Sequence, residues 1–272
     1  MFRRGAGGAS SGTLRRVALL VEYDGTGYKG SQYQGNAPTV QGALERSLRS
    51  LTGEPIRVAL AGRTDAGVHA LGQVASFSTT SRHSPEVMVR GVNARLPRDV
   101  VVRAAAVVAA AFDPRRWAQS RWYRYSVCNR PVRPALDRYR AWHVAGRLDL
   151  EAMQKACAAL LGRHDFAAFA PPSQATRGST ERVIYTAQWR RLNAHVLQFD
   201  IEGNAFLQNM VRRIVAALVD IGRGKLAAGN LAEMLRRAVP GTASAMAPAH
   251  GLYLIRVRYE SGLFDDEANE DV

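Results

Sequence analysis

Ala61-Gly62-Arg63-Thr64-Asp65-Ala66-Gly67-Val68-His69-Ala70 sets one carboxylate between an arginine and a histidine, in a backbone loosened by two glycines. Upstream, Ile56, Val58 and Leu60 alternate with Arg57 and Ala59, the period of a strand running into the motif. Downstream, Val74, Ser76 and Phe77 resume extended character. A polar turn between two hydrophobic strands is where a rigid scaffold commonly presents reactive side chains. Gly62 and Gly67 admit positive φ or a close backbone approach. The residues alone leave two readings open: a hairpin loop in which Asp65 caps local amides, or a loop in which it does chemistry.

The flanking chain gives the motif its setting. Arg16–Tyr23 reads as a strand ending at the turn Asp24-Gly25-Thr26-Gly27, and Tyr28–Gln34 mixes aromatics, amides and a cation in a loop. Thr39 can cap a helix with Val40, Ala43, Leu44, Ser47, Leu48 and Leu51 on one face, stopped by Gly53. Strands over 56–61 and 72–78 follow, then a helix over Pro85–Arg95 and a strand over Val100–Val108. Strand, helix, strand, strand is the order of a helix packed on one face of an antiparallel sheet. The second half repeats such a plan. Strands are expected at Arg121–Cys128, Arg182–Trp189, His195–Glu202 and Leu252–Tyr259. Helices are expected at Leu150–Leu161, Phe206–Ile221 and Leu231–Ala238, with a loop over 171–180 rich in Pro, Ser, Thr and Gly. These boundaries divide the chain into a leader (1–13), an N-terminal α+β half carrying Asp65 (14–110), a C-terminal α+β half (111–259) and an acidic tail (260–272).

Charge points to the partner. The net charge is +14, although five of the last eight residues are acidic: Asp265, Asp266, Glu267, Glu270 and Asp271. Only Lys29, Lys155 and Lys225 are lysine, so arginine supplies almost all of the 37 basic residues. Its planar fork suits phosphate oxygens and stacks on bases. A biased genome could set the arginine-to-lysine ratio but not the net excess, which favours a nucleic acid as partner. No apolar run is long enough to cross a bilayer, and Met1–Thr13 has no apolar stretch of the kind a signal peptide needs. Cys128 and Cys157 stand apart without metal-ligand spacing, which suits a reducing, cytoplasmic setting.

Three clusters can carry chemistry: Arg63, Asp65 and His69; the strand Ser120–Tyr125; and Asn204–Val215. Alternation places Arg121, Tyr123 and Tyr125 on one face of the strand and Trp122 and Arg124 on the other. Tyr123 can be a base-stacking platform or an ordinary half-buried aromatic. Phe206, Met210, Ile214 and Leu218 form a core stripe, from which Arg212 and Arg213 depart. A hydrolase built on Asp65 and His69 would need further acidic metal ligands nearby, and the neighbourhood supplies none.

In order along the chain come Tyr23-Asp24-Gly25 with Gln32 and Gln34, Gly62–Ala70, Gly72-Gln73-Val74, Gly91-Val92-Asn93, Leu96-Pro97 and Phe112-Asp113 with Arg115. Tyr123-Arg124-Tyr125, Leu160-Leu161-Gly162, Asp165-Phe166, Asn204–Leu207, Met210-Val211-Arg212, Pro248-Ala249 and Gly251-Leu252 complete the series. With these blocks the chain resembles the tRNA pseudouridine synthase A family from about residue 17 to residue 259. The resemblance implies two related halves whose sheets merge into one extended antiparallel sheet with a central basic cleft. It also implies a homodimer that isomerises uridine to pseudouridine at positions 38, 39 and 40 of the anticodon stem-loop, with tRNA as partner and no cofactor or metal. Carried over by motif, Asp65 is the catalytic carboxylate and Arg63 helps hold the target nucleotide out of the stem. Tyr123 stacks on the uracil, Arg212 pairs with Asp65, and His69 holds the loop. Two positions depart from the family pattern. Ser31 stands where tryptophan is usual, with Tyr33 as the neighbouring aromatic to replace any stacking contact, and Pro114 stands where alanine is common.

Overall fold

The computed structural model describes residues 13–175 and 178–265; residues 1–12 of the expected leader and 266–272 of the acidic tail lie outside them. β1 (Arg15–Tyr23) is buried along Val17–Val21, as its apolar run requires. A 3₁₀ turn at Gly25–Gly27 precedes α1 (Val40–Thr52). Thr39 accepts from the Gly42 N–H and Gly53 closes the helix at φ 74°, as its cap and stop residues dictate. β2 (Ala59–Leu60) and β3 (His69–Thr79) flank the Asp65 loop, and α2 (Pro85–Asn93), capped by Ser84, leads to β4 (Val100–Val108). Next come β5 (Ala118–Asn129), β6 (Trp142–Val144), α3 (Leu150–Cys157), β7 (Gly162–Asp165) and α4 (Pro172–Ala175). β8 (Glu181–Arg191), β9 (Val196–Gly203), α5 (Met210–Gly222), α6 (Gly229–Arg237) and β10 (Leu252–Tyr259) complete the chain.

All ten strands belong to one sheet in the order β4-β1-β3-β10-β5-β9-β8-β7, with β2 beside β3 and β6 beside β5. Strands β1 to β4 therefore lie on one side of the β3/β10 seam and β5 to β9 on the other. α2 packs on β4 and against α1, while α3 packs on α5, α6 and β8. The core is continuous across the seam, from Leu19, Leu44 and Phe77 to Phe169, Phe199 and Leu218. Among the described residues no helix is long and apolar enough to cross a membrane, and Cys128 and Cys157 are buried free thiols.

The sheet is mixed, not wholly antiparallel as expected. β10 runs parallel to β3, and β6 runs parallel to β5. A parallel neighbour needs a crossover of about a dozen residues or more, which 130–141 provide for β6. The strand expected over 56–61 shortens to Ala59–Leu60, because the Val58 N–H donates to Glu45 Oε1 instead of to a ladder. The expected helix at 206 starts only at Met210, since Asn209 takes up φ 62°. β6 and β7 are too short to show a period in the sequence, and four residues of the expected loop coil into α4.

The seam has a steric condition. A Cβ on Gly72 would stand 2.3 Å from the Ile255 carbonyl oxygen, a backbone atom that cannot move without opening β3 from β10. Gly72→Ala should cost about 3 kcal/mol of stability in urea unfolding; a loss within about 0.5 kcal/mol, the range of a neutral surface change, would contradict this reading of the seam.

Candidate active site in the cleft at the β3/β10 seam

The Asp65 loop is held by buried polar side chains before anything binds it. The Gln73 carboxamide, fully buried, accepts from the Gly62 N–H at 3.2 Å and donates to the Gly62 carbonyl at 2.7 Å. Ser31 does the same two residues on: its hydroxyl accepts from the Thr64 N–H at 2.8 Å, and its own N–H donates to the Thr64 carbonyl at 3.0 Å. The Thr64 hydroxyl meets the Tyr23 hydroxyl at 2.8 Å. Gly67 sits at φ 79°, so the loop needs glycine there. Gly62 has no positive φ, and a methyl there would only touch the Tyr123 hydroxyl at 3.5 Å. Of the two glycines in the motif, one is conformationally required.

Asp65 does not cap the hairpin. Among the described residues its carboxylate bonds to no local amide; Oδ2 accepts from Arg212 Nη1 at 3.0 Å, across 147 residues of chain. Arg212 lies in the first turn of α5 and is aimed by two further bonds, Nε to the Ala247 carbonyl at 2.8 Å and Nη1 to Asn209 Oδ1 at 3.4 Å. The Asp65 side chain remains 33% exposed and that of Arg212 only 12%, so the arginine backs the carboxylate and leaves its outer side open. This pair opens into a cleft of about 690 Å³. Tyr123 forms part of its wall, held edge-on by Phe206 at 5.1 Å and 81° between planes. Burial pushes the Tyr123 phenol above its ordinary value, with the Asp65 charge acting in the same direction, so the ring is a neutral surface. Arg63 is exposed at the cleft and makes no hydrogen bond or ion pair among the described residues. Lys29, Arg115, Arg121 and Arg182 line the same cleft, and Asp65 is the one carboxylate among the described lining residues.

His69 is not in the cleft. Its Nδ1 accepts from the Gly25 N–H at 3.1 Å, and Nε2 meets the Tyr139 carbonyl at 2.9 Å and the His250 carbonyl at 3.2 Å. Its ring stacks on Tyr253 at 4.7 Å. A hydrolase built on Asp65 and His69 together is therefore ruled out by placement. Tyr33 does not line the cleft, and the Arg57 guanidinium lies over its ring at 5.3 Å. Pro114 is buried and its carbonyl accepts from the Tyr259 hydroxyl at 2.8 Å.

Arg121 also lines the cleft, a site residue not expected from the sequence. Its guanidinium donates to the carbonyls of Ala61, Arg115, Ala118 and Asn204, so one cation ties the start of the Asp65 loop to the far side of the seam. Its only signal was its position, two residues before Tyr123 on the same strand face.

A carboxylate backed by arginine, beside a neutral aromatic wall and several cationic side chains, is an arrangement that can take an anionic, ring-bearing ligand. A family model described as tRNA pseudouridine synthase matches residues 19–115 and 156–260. The tRNA pseudouridine synthase A of Roseiflexus castenholzii is 45% identical over 249 residues, covering 90% of this chain and 91% of that one. That of Myxococcus xanthus is 44% identical over 250 residues, covering 92% and 94%. That of Acetivibrio thermocellus is 40% identical over 246 residues, covering 90% of this chain and all of the relative. The chain belongs to the tRNA pseudouridine synthase A family.

The His69 environment fixes a pH dependence. Burial pulls its imidazole below 6.5, and the Asp24 carboxylate at 3.2 Å does not reverse this. The unfolded chain then binds more protons than the folded one as pH falls below about 6.5, so stability is full above that value and declines below it. Burial moves His250 in the same direction. An NMR titration should place the His69 midpoint below 6.5, and urea unfolding should need less denaturant at acid pH; a midpoint above 6.5 would contradict the assignment.

Proposed function

We propose that this chain converts uridine to pseudouridine in the anticodon stem-loop of tRNA, in the cleft at the seam, with Asp65 as the catalytic group. The observation that carries the reading is the Arg212–Asp65 contact at the cleft, with Tyr123 beside it. The reaction breaks the C1′–N1 bond, turns the freed ring, forms C1′–C5, and exchanges the C5 proton for one on N1, so it consumes no cofactor. A target in a paired or stacked region must first leave the stack, at a cost of a few kcal/mol. In this proposal Arg63, exposed and without a partner among the described residues, holds the extruded nucleotide, and the basic cleft offsets the cost through phosphate contacts. Tyr123 supplies a flat apolar face on which the uracil stays stacked while it turns. Asp65 acts as nucleophile toward sugar or base, or as base toward a sugar proton, and Arg212 fixes its orientation and supplies the counter-charge.

The segregation of strands about the seam supports reading 14–110 as the half that carries Asp65 and 111–259 as the half that carries Tyr123 and Arg212. The family resemblance also carries the expectation of a cytoplasmic homodimer, for which light scattering of the purified protein should return the mass of two chains.

Pseudouridine mapping of unmodified tRNA, incubated in EDTA, tests the assignment. The wild type should form pseudouridine in the anticodon stem-loop and Asp65→Ala should form none; equal product from both would remove Asp65 from the chemistry. Arg212→Ala should lower the single-turnover rate by about a hundredfold or more while changing tRNA affinity by less than about threefold, as expected when a group that orients the reacting carboxylate is lost. Normal turnover in that variant would return Arg212 to a structural role.

A further inference from the structure

Two of the cations that line the cleft, Arg115 and Arg182, have no carboxylate partner among the described residues. Arg182, at the start of β8, donates through Nη1 to the carbonyls of Ser179 and Glu181 at 2.9 and 2.6 Å. Its Nε is buried and has no hydrogen-bond partner among the described residues. Burial and then the Arg115 charge lower the proton affinity of this guanidinium, and no carboxylate acts in the other direction. Arg115 lines the same cleft, is exposed, and its side chain has no ion pair among the described residues. The neighbouring Asp113 does not relieve it, since that carboxylate accepts the backbone N–H groups of Arg115 and Arg116 and faces the Arg116 and Arg16 guanidinium groups. The Arg115 backbone is itself pinned, because its carbonyl accepts from Arg121 at 2.6 Å.

Two guanidinium groups facing one cleft repel each other unless an anion sits between them. We propose that Arg115 and Arg182 form a clamp for one backbone phosphodiester of the RNA substrate, next to the extruded uridine. The phosphate oxygens accept from the Arg182 and Arg115 guanidinium groups, and the nucleotide is held by its backbone at one end and by Asp65 and Tyr123 at the other. The clamp rests on the function proposed above. It adds a position-specific contact to what would otherwise be diffuse attraction by a basic surface.

The test is equilibrium binding of an anticodon stem-loop RNA, with single linkages around the target uridine replaced in turn by uncharged methylphosphonate. Arg115→Ala and Arg182→Ala are compared with the unsubstituted protein, all in the Asp65→Asn background to keep turnover out of the measurement. Arg115→Ala leaves every hydrogen bond of Arg182 in place, so it reports even if Arg182→Ala unfolds. Arg115→Ala should weaken binding of the all-phosphate RNA by about tenfold and reduce the salt slope by about one. At one linkage only, the methylphosphonate should weaken the unsubstituted protein while leaving Arg115→Ala unaffected, the signature of a direct pair. Equal loss in both proteins at every linkage, or an unchanged salt slope, would overturn the clamp. Pseudouridine formation by the wild type, measured alongside, separates the two readings: product with no linkage-specific effect removes the clamp alone, and no product removes the function on which it rests.

Discussion

The parallel pairing of β10 with β3 is the constraint on which the rest of the structure depends. Leu254 is the register partner of Ala70 on one side and of Tyr123 on the other, and Tyr253 likewise joins His69 to Arg124. With neighbouring strands about 4.8 Å apart, that row puts the end of the Asp65 loop two strands from the aromatic wall of the cleft. Neither residue could reach the other's neighbourhood through its own half. Gly72 sets the closeness of the seam, because its missing side chain lets the Ile255 carbonyl stand against its Cα. Arg212 then reaches Asp65 from the first turn of α5 and completes the site.

The loop that carries Asp65 is rigid for a reason that is polar, not apolar. Gln73, Ser31, Tyr23 and Arg121 are buried, and each makes at least one hydrogen bond to loop atoms from Ala61 to Thr64. Burying such groups is costly unless they are satisfied. The loop backbone satisfies them only in this conformation, so the same bonds that offset their burial also select one geometry for Asp65. Ser31 illustrates the economy of space: a residue with no exposed surface brackets Thr64, so the chain spends this position on loop geometry and not on a stacking contact.

Much of this was legible in the residues themselves. The cap at Thr39 and the stop at Gly53 marked α1, and the apolar run of Arg16–Tyr23 marked β1. The strand alternation at Ser120–Tyr125 separated Arg121 and Tyr123, at the cleft, from Trp122 and Arg124, which bond to Asp200. The pairing of Arg212 with Asp65 came from the family resemblance and not from any period, since nothing local links residues 147 apart. The parallel seam was illegible for the same reason: strand direction depends on where a long return ends. Short strands such as β6 have no period to read, and the start of α5 was misplaced because Asn209 breaks the helical path with a left-handed residue that apolar spacing does not register.

A structure of the protein with an anticodon stem-loop RNA tests most directly whether the seam builds one site from two halves. The predicted result is a uridine turned out of the stem, its ring stacked on Tyr123, its sugar beside Asp65 and the Arg212 contact intact. A target base still stacked in the stem, or RNA seated away from the cleft with Asp65 and Tyr123 untouched, would contradict it.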